Sequence, residues 1–233
     1  MKNYKIIEDE AMLKEFIEWL PELQDNEKFY VCLFARKKYC KELIKSNDKT
    51  QLKRFISNKA RLYNKIEQLE IPMNTWHLRD TVAPQESLAL YILPNPRNMI
   101  KATHAMGKKC WDLIYNKNYS LQAEAMSCIQ RAKSRTSYVH FDIDTDEDVH
   151  EMIEGFMKVI FPLIGDMKPC WHILQTRGGY HLLIEPQRAS MISQWKNWHG
   201  EVTKVLKDYI EQEGDLMMPV PGCVQGGFVP KFI

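Results

Sequence analysis

The sequence predicts an α+β fold in two parts: an N-terminal unit of helices and strands over residues 1–130, and a ferredoxin-like (RRM-like) βαββαβ unit over residues 131–233. Three observations predict it. Apolar residues recur at helical spacing in some segments and alternate in others. The second part orders its segments as strand, helix, strand, strand, helix, strand. No clear linker divides the parts, which is compatible with one continuous domain.

Composition limits the class of protein. The 233 residues are 45% hydrophobic and 27% charged, which is ordinary for a globular protein. No run of about 18 apolar residues could span a bilayer, and the N-terminus lacks the apolar core of a signal peptide. The six cysteines lie far apart without a C-x-x-C pair, which favours reduced and buried thiols. We therefore expect a cytoplasmic protein without a membrane partner.

Local patterns define the elements of the first part. Leu13, Phe16 and Ile17 lie on one stripe of a helix that Pro21 helps to end. A similar apolar stripe with a basic opposite face predicts a basic helix over residues 50–69. The predicted elements are a helix over 10–20, a strand over 29–34, the basic helix over 50–69, a strand over 88–93 closed by Pro94-Asn95-Pro96, and helices over 97–116 and 120–132.

The second part has a sharper pattern. Val139, Phe141 and Ile143 alternate with polar residues, so they share one face of a strand. Asp146 is the expected cap of the helix that follows. The predicted elements are a strand over 136–144, a helix over 147–160, a strand over 170–175, a glycine turn over 176–179, a strand over 180–185, an amphipathic helix over 190–212 and a strand over 216–220.

This order of elements predicts that distant polar residues converge. In a ferredoxin-like sheet the first strand lies between the third and the fourth, and both run antiparallel to it. The strand end at Asp142 and Asp144 should then lie beside His181 and beside Asp215, at the start of the fourth strand. We expect helices on the apolar face of the sheet and an open face on the other side. An isolated D-x-D pair is typical of a solvated acidic turn, but this convergence favours a metal site.

The chemistry of these residues suits phosphoryl transfer. Three carboxylates fit two divalent ions, which would activate a hydroxyl and neutralise the leaving group. The turn supplies a phosphate side, because glycine lets backbone N–H groups approach phosphate oxygens. Arg177 can hold a phosphate in bidentate fashion and His181 can donate to a phosphate oxygen. The expected nucleotide-binding residues of this segment are Thr176, Arg177, Gly178, Gly179 and His181.

Charge is strongly segregated although the net charge is only +2. Residues 35–65 carry eleven lysines or arginines, and residues 142–154 carry seven acids and no lysine or arginine. A basic block beside an acidic one suits a protein that holds a polyanion near a metal site, although a solvated lysine-rich face is an open alternative. The candidate nucleic-acid-binding residues are Lys53, Arg54, Lys59, Arg61, Arg131, Lys133 and Arg135.

Three short motifs resemble the archaeo-eukaryotic primase superfamily, the primase-polymerases. They are Phe141-Asp142-Ile143-Asp144, Gly179-Tyr180-His181 and Gly214-Asp215. The order and spacing fit, and the C-terminal half carries all of the match. The resemblance implies template-directed nucleotidyl transfer from a nucleoside triphosphate, with single-stranded DNA template and primer as partners. It also implies that Asp142, Asp144 and Asp215 bind Mg²⁺ or Mn²⁺ and that His181 contacts the incoming triphosphate.

The tail departs from the family pattern. Many relatives have Arg-x-Pro-Gly-Thr where this chain has Pro219-Val220-Pro221-Gly222-Cys223. Lys231 is the candidate substitute for the missing arginine as a nucleotide contact. We expect no attached helicase or zinc module, so a separate helicase is a candidate partner.

Two other functions stay open on the same fold. A replication-initiator or relaxase-like enzyme would cleave DNA with a tyrosine nucleophile and a His-x-His metal site, and the chain has no such triplet. A non-catalytic module for single-stranded nucleic acid would display aromatic residues on the sheet, where this chain has carboxylates.

Overall fold

The computed structural model describes residues 2–40, 49–78, 81–117, 120–163 and 165–233. Within these ranges the helices are α1 (Glu10–Trp19), α2 (Lys59–Glu67), α3 (Met99–Tyr115), α4 (Leu121–Arg131), α5 (His150–Ile160), α6 (Pro186–Ile192) and α7 (Trp198–Val205). The strands are β1 (Glu27–Arg36), β2 (Lys49–Ser57), β3 (His77–Leu78), β4 (Thr81–Val82), β5 (Leu88–Asn98), β6 (Val139–Asp144), β7 (Trp171–Thr176), β8 (Gly179–Ile184), β9 (Ile210–Gly214), β10 (Met218–Pro219) and β11 (Lys231–Phe232). The predicted α+β class is confirmed. None of the described helices has the length and apolar character needed to cross a bilayer.

The first sheet is antiparallel and has the strand order β10-β5-β1-β2. Side chains alternate across β1, as they must on a pleated strand. Val31 and Leu33 enter a core cluster with α1 and α2, whereas Cys32 and Phe34 enter a second cluster that includes Met126 of α4. The sheet is therefore buried on both faces, which explains why β1 is apolar along nearly its whole length.

The second sheet is antiparallel and has the strand order β11-β7-β8-β6-β9. The predicted pairing of the first motif strand with the strand after the glycine turn is confirmed, since β6 pairs with β8. Its other neighbour is β9, which lies in the segment predicted to be helical, and not the predicted strand over 216–220. Phe141 and Ile143 pack against α5 and α7 on one face. His140, Asp142 and Asp144 lie on the other face, as their alternation predicts.

The polar face of the second sheet is not open, so that expectation was wrong. Leu174, Leu183 and Tyr138 belong to the same core cluster as α1, α2 and the first sheet. Strand β10, which the sequence assigned to the second sheet, pairs instead with Ile92 and Tyr91 of β5. The two halves of the chain therefore share one core, and the part of the polar face that is left uncovered forms the floor of a cleft.

The predicted basic helix over residues 50–69 was also wrong in its first half. Residues 49–57 form the edge strand β2, and Asn58 then caps α2 by accepting a hydrogen bond from the Arg61 backbone N–H. Charged residues are common on edge strands, where they oppose unwanted pairing. The alternation that pairs Phe55 with Val31 of β1 was obscured by spacing that also fits a helix.

Three further boundaries differ from the predictions. Strand β5 continues through Pro94 and Pro96. Proline has no N–H to donate to a neighbouring strand, and β10 pairs only with residues 91 and 92, so no β10 partner is needed at this end of β5. The predicted helix over 190–212 is broken into α6, α7 and strand β9, and Asn197 caps α7. Helix α5 begins after Val149, so Asp146 is not its cap.

Candidate active site

A cleft of about 990 Å³ lies between the two sheets. Its floor is the polar face of β6 and β8, and its opposite wall comes from β1, β5 and α4. The cleft contains all four residues that the sequence predicted to converge. They are Asp142, Asp144, His181 and Asp215.

The first two carboxylates lie at the end of β6, beside the glycine turn. Asp142 is opposite His181 and Asp144 is opposite Gly179 in the antiparallel pairing with β8. The Asp142 side chain is 30% exposed to the cleft, and Asp144 is exposed. Their hard oxygen donors fit a divalent cation such as Mg²⁺, which is commonly bound through one or two carboxylates plus substrate phosphates.

Asp215 has a different environment. Both of its oxygens accept hydrogen bonds from Arg97, each at 2.7 Å, and Asn95 donates a third at 3.1 Å. The Arg97 side chain is fully buried, and its guanidinium also donates to the carbonyls of Asn95 and Gln130. A carboxylate held in this way is neutralised by the protein itself. Among the described residues no cluster of three or more histidines, cysteines or acids has metal-binding geometry.

The position of Asp215 follows from the register of β9. The sequence placed it at the start of a fourth strand beside the end of β6. In the structure it follows β9, whose last residue Gly214 pairs with His140. Asp215 therefore lies toward the beginning of β6, on the far side of the cleft floor from Asp144.

A pair of histidines connects the floor to the buried interior. His140 is fully buried, and this burial together with the neighbouring His181 holds the pKa of His140 well below its usual value. Neutral His140 can donate from Nδ1 to the Leu216 carbonyl at 3.3 Å and accept at Nε2 from His181 Nδ1 at 2.5 Å. The His181 proton therefore lies on Nδ1, and Nε2, at 3.3 Å from Asp142 Oδ1, donates to this carboxylate only when the ring is also protonated at Nε2. His181 is therefore oriented toward the carboxylate and the cleft.

The glycine turn lies beside both the acids of β6 and positively charged side chains. Gly179 has a φ of 133°, and a Cβ there would lie 2.1 Å from the Ile143 carbonyl oxygen, so only glycine fits beside β6. A Cβ on Gly178 would lie 3.5 Å from Asp144 Oδ1 and 3.8 Å from Lys38 Nζ. Both charged groups thus reach the turn. Thr176 stabilises it by donating from Oγ1 to the Gly179 carbonyl at 3.2 Å.

Three cations surround the Tyr39 ring near this turn. The Arg177 guanidinium lies 4.5 Å from the ring centroid, and Arg36 and Lys38 both lie at 5.6 Å. Arg177 also donates from its guanidinium to the Gly226 carbonyl and from its backbone N–H to Gln225 Oε1. Burial raises the pKa of the Tyr39 hydroxyl, so the ring stays neutral. We refer to Arg36, Lys38, Tyr39 and Arg177 as the cationic cluster.

Sequence reasoning missed two members of that cluster that line the cleft. Arg36 and Lys38 were counted in the basic block but were not assigned to a site. The signal was present, because Arg36 ends a buried strand and the chain turns immediately afterwards. Their spatial partner, the turn at Arg177, is far away in sequence.

The predicted nucleic-acid-binding residues are scattered. Arg131 lines the cleft. Lys133, two residues further along the chain, forms an isolated β-bridge with Arg97. Lys59 binds Glu22 at 2.5 Å and Arg135 binds buried Glu27 at 3.2 Å, so both have structural partners. The others lie on the edge strand β2 (Lys53 and Arg54) and on α2 (Arg61).

The tail that departs from the family pattern is an anchor for the first helix. The Gly222 carbonyl accepts hydrogen bonds from the backbone N–H groups of Glu8 and Asp9, each at 2.9 Å. Pro219 pairs with Tyr91, and Cys223 is completely buried. Lys231 lies on β11 opposite Gln175 and is exposed. It is not among the residues that line the cleft.

No protein-family model, no curated protein and no solved structure matches this chain.

Proposed function

We propose that the protein is a metal-dependent nucleotidyltransferase of the primase-polymerase type, which synthesises or extends primers on single-stranded DNA. The observation that carries the proposal is the composition of one cleft. Asp142, Asp144 and His181 share its floor, and Arg36 and Lys38 line the same space. Carboxylates for a divalent ion beside cations for phosphates are the groups that phosphoryl transfer requires. In this proposal β6–β9 with α5 and α7 form a ferredoxin-like palm.

Each group has a distinct part in the proposed reaction. Asp142 and Asp144 would hold Mg²⁺ or Mn²⁺, which when bound lowers the pKa of the attacking hydroxyl and neutralises the leaving group. In its imidazolium form His181 would donate from Nε2 to a phosphate oxygen, and the Gly178 turn lies where the triphosphate enters. The 3′ hydroxyl of a primer or first nucleotide attacks the α-phosphate. The new O–P bond forms as pyrophosphate leaves.

The cations of the cleft hold the triphosphate. Arg36 and Lys38 approach from β1 and the short turn after it. Arg177 supports the turn by packing on Tyr39 and bonding to Gly226. Asp215, in this proposal, keeps Arg97 in place rather than binding metal. The site is then a two-carboxylate centre, which differs from the three-acid site that the resemblance implies.

Incorporation of labelled nucleotides on a primed and an unprimed single-stranded template tests the proposal. The double variant Asp142→Ala with Asp144→Ala should lose incorporation by at least about 100-fold, because the electrostatic groups of an active site contribute that much. The matched control is Asp146→Ala with Glu147→Ala. It removes the same charge from exposed positions outside the cleft and should leave the rate unchanged.

Three outcomes would contradict the proposal. Retained activity in the Asp142 and Asp144 double variant would show that these two carboxylates are not the catalytic metal ligands. A covalent adduct between DNA and a tyrosine would favour a relaxase-like reaction. Tight binding of single strands by the folded wild type in Mg²⁺ or Mn²⁺, with no incorporation at all, would favour a non-catalytic module.

A further inference from the structure

Helix α3 presents an unusual surface to solvent. Its buried residues are Ala102 and Leu113, so one side of the helix faces the protein. At about 100° per residue, the opposite side carries five residues spaced by three or four. These residues, which we call the α3 stripe, are Ile100, His104, Lys108, Trp111 and Tyr115.

Packing within the protein does not account for the stripe. Trp111 is 76% exposed and Tyr115 is 91% exposed. A solvated helix face usually carries charged and polar residues, and exposed aromatic residues in a row indicate a binding surface. The spacing places Trp111 and Tyr115 side by side, one turn apart, so their rings can act together.

The charge of the stripe selects the kind of ligand. His104 and Lys108 lie between Ile100 and the two aromatic residues, and no acid lies on the stripe itself, while Asp112 flanks it near its C-terminal end. Lys101 flanks it at its N-terminal end. Proteins that bind single strands combine a positively charged surface with aromatic rings on which bases stack. A protein interface would instead be depleted in lysine, and a membrane-surface helix would have a continuous apolar face.

The stripe also begins near the cleft. Lys109 of α3 binds Glu124 at the start of α4 at 2.5 Å, and Lys101 bonds to the Lys133 carbonyl just after α4 at 3.2 Å. The two helices are therefore antiparallel, and the N-terminal end of α3 lies beside the C-terminal end of α4. Arg131 at that end of α4 lines the cleft.

We propose that the α3 stripe binds single-stranded nucleic acid, with bases stacked on Trp111 and Tyr115 and phosphates held by Lys108. The choice of this occupant rests on the proposed function, which requires a single-stranded template. The stripe lies outside the cleft, so binding to it does not need the metal centre.

Fluorescence anisotropy of the full chain with a labelled oligodeoxynucleotide of about 20 nucleotides tests the inference, since single-strand sites span about 4–16 nucleotides. The buffer contains EDTA, which removes metal-dependent binding at the cleft. Trp111→Ala with Tyr115→Ala should weaken binding by at least about 25-fold, from about fivefold for each ring. Trp111→Phe with Tyr115→Phe should restore most of the affinity, because the stacking faces remain.

Two controls separate stacking and charge from general damage. Ile114→Ala removes an exposed apolar residue of the same helix that is not part of the α3 stripe, and it should leave binding unchanged. Lys108→Gln should reduce the slope of log affinity against log salt by about 0.7, the value for one phosphate contact on a single strand.

Several results would overturn the inference. Unchanged affinity in the Trp111 and Tyr115 alanine double variant would do so directly. The alanine double variant could also lose a different interaction of the wild type, either binding to phosphatidylserine-containing vesicles or self-association in sedimentation experiments. Such a loss with unchanged oligonucleotide affinity would assign the stripe to a membrane or to a second copy of the chain and overturn the inference. The inference fails separately from the proposed function, because loss of incorporation in the Asp142 and Asp144 double variant does not depend on the stripe.

Discussion

The cleft contains two kinds of aspartate that the sequence does not distinguish. Asp142 and Asp144 lie at the end of β6, where their carboxylates face the cleft beside His181 and the glycine turn. Asp215 lies in the same cleft, but both of its oxygens are bound by buried Arg97. Because a buried arginine occupies both of its oxygens, Asp215 is a poorer candidate for a metal ligand than Asp142 or Asp144 in the same cleft.

Arg97 also explains how the two halves of the chain are held together. It belongs to β5 of the first sheet, and Asp215 follows β9 of the second. Asn95 extends the contact by bonding through its side chain to the backbone of Ser137 and Tyr138, just before β6. The network thus fixes the beginning of β6, and the acid pair lies at its other end.

The largest effect that the comparison predicts is on stability. Arg97→Met should lower the free energy of unfolding by about 3–5 kcal/mol, because it leaves the Asp215 carboxylate partly buried without its partner. For a chain of this size that corresponds to a fall in Tm of about 6–20 °C. Arg61→Met, an exposed arginine on α2, is the control and should change little.

A double-mutant cycle checks the reason for that loss. Arg97→Met combined with Asp215→Leu should be more stable than Arg97→Met alone, since no buried charge then lacks a partner. Thermal unfolding followed by circular dichroism measures all variants. Equal instability of the single and the double variant would show that Arg97 stabilises the fold through packing rather than through Asp215.

The second prediction concerns the cationic cluster, where a substitution should weaken binding of the nucleoside triphosphate without lowering the stability of the fold. Lys38→Gln should raise the KM for the nucleoside triphosphate by about fivefold, from about 1 kcal/mol for an exposed charge contact. Its kcat and its Tm should stay near the wild-type values, because uniform binding energy affects KM alone. Steady-state incorporation kinetics measure the difference. The control is Lys37→Gln, an adjacent exposed lysine outside the cleft lining, and an equal rise in KM there would contradict the assignment.

The smallest predicted effect concerns another carboxylate, Glu27, which like Asp215 is bound by an arginine. Burial alone would raise the pKa of Glu27, but hydrogen bonds from Arg135 and the Gln24 backbone more than offset it and lower that pKa below 4.5. The stabilising contribution of Glu27 is thus present above pH 4.5 and is lost as the pH falls through its pKa in the folded state. Glu27→Gln should flatten the fall in Tm below that pH. A fall as steep as in the wild type would assign the acid sensitivity to other groups.

Local sequence patterns predict the elements that carry the motifs. The alternation over Val139–Asp144 defines β6, and the pair Gly178-Gly179 between two apolar runs defines the β7–β8 hairpin. The sequence order of these elements was enough to place His181 opposite Asp142. These predictions hold because each depends on neighbours within a few residues or on a single rule of sheet topology.

Predictions that depend on distant partners were wrong or missing. The partner of Asp215 could not be predicted, because Arg97 lies in a strand that continues through two prolines and looks like a turn. Strand β2 carries basic residues at a spacing that also fits a helix, and only its pairing with β1 decides between the two. The cationic cluster required two distant segments, residues 36–39 and the turn at Arg177, to meet around Tyr39.

The most direct test of the two-carboxylate centre is Mn²⁺ binding, measured by the loss of the free-ion signal in electron paramagnetic resonance with a nucleoside triphosphate present. The wild type should bind more Mn²⁺ than the triphosphate binds by itself. The double variant Asp142→Asn with Asp144→Asn should bind no more Mn²⁺ than the triphosphate alone. Asp215→Asn should retain it at a temperature at which circular dichroism shows the variant to be folded. Loss of Mn²⁺ binding in folded Asp215→Asn, or retention in the Asp142 and Asp144 double variant, would contradict the account.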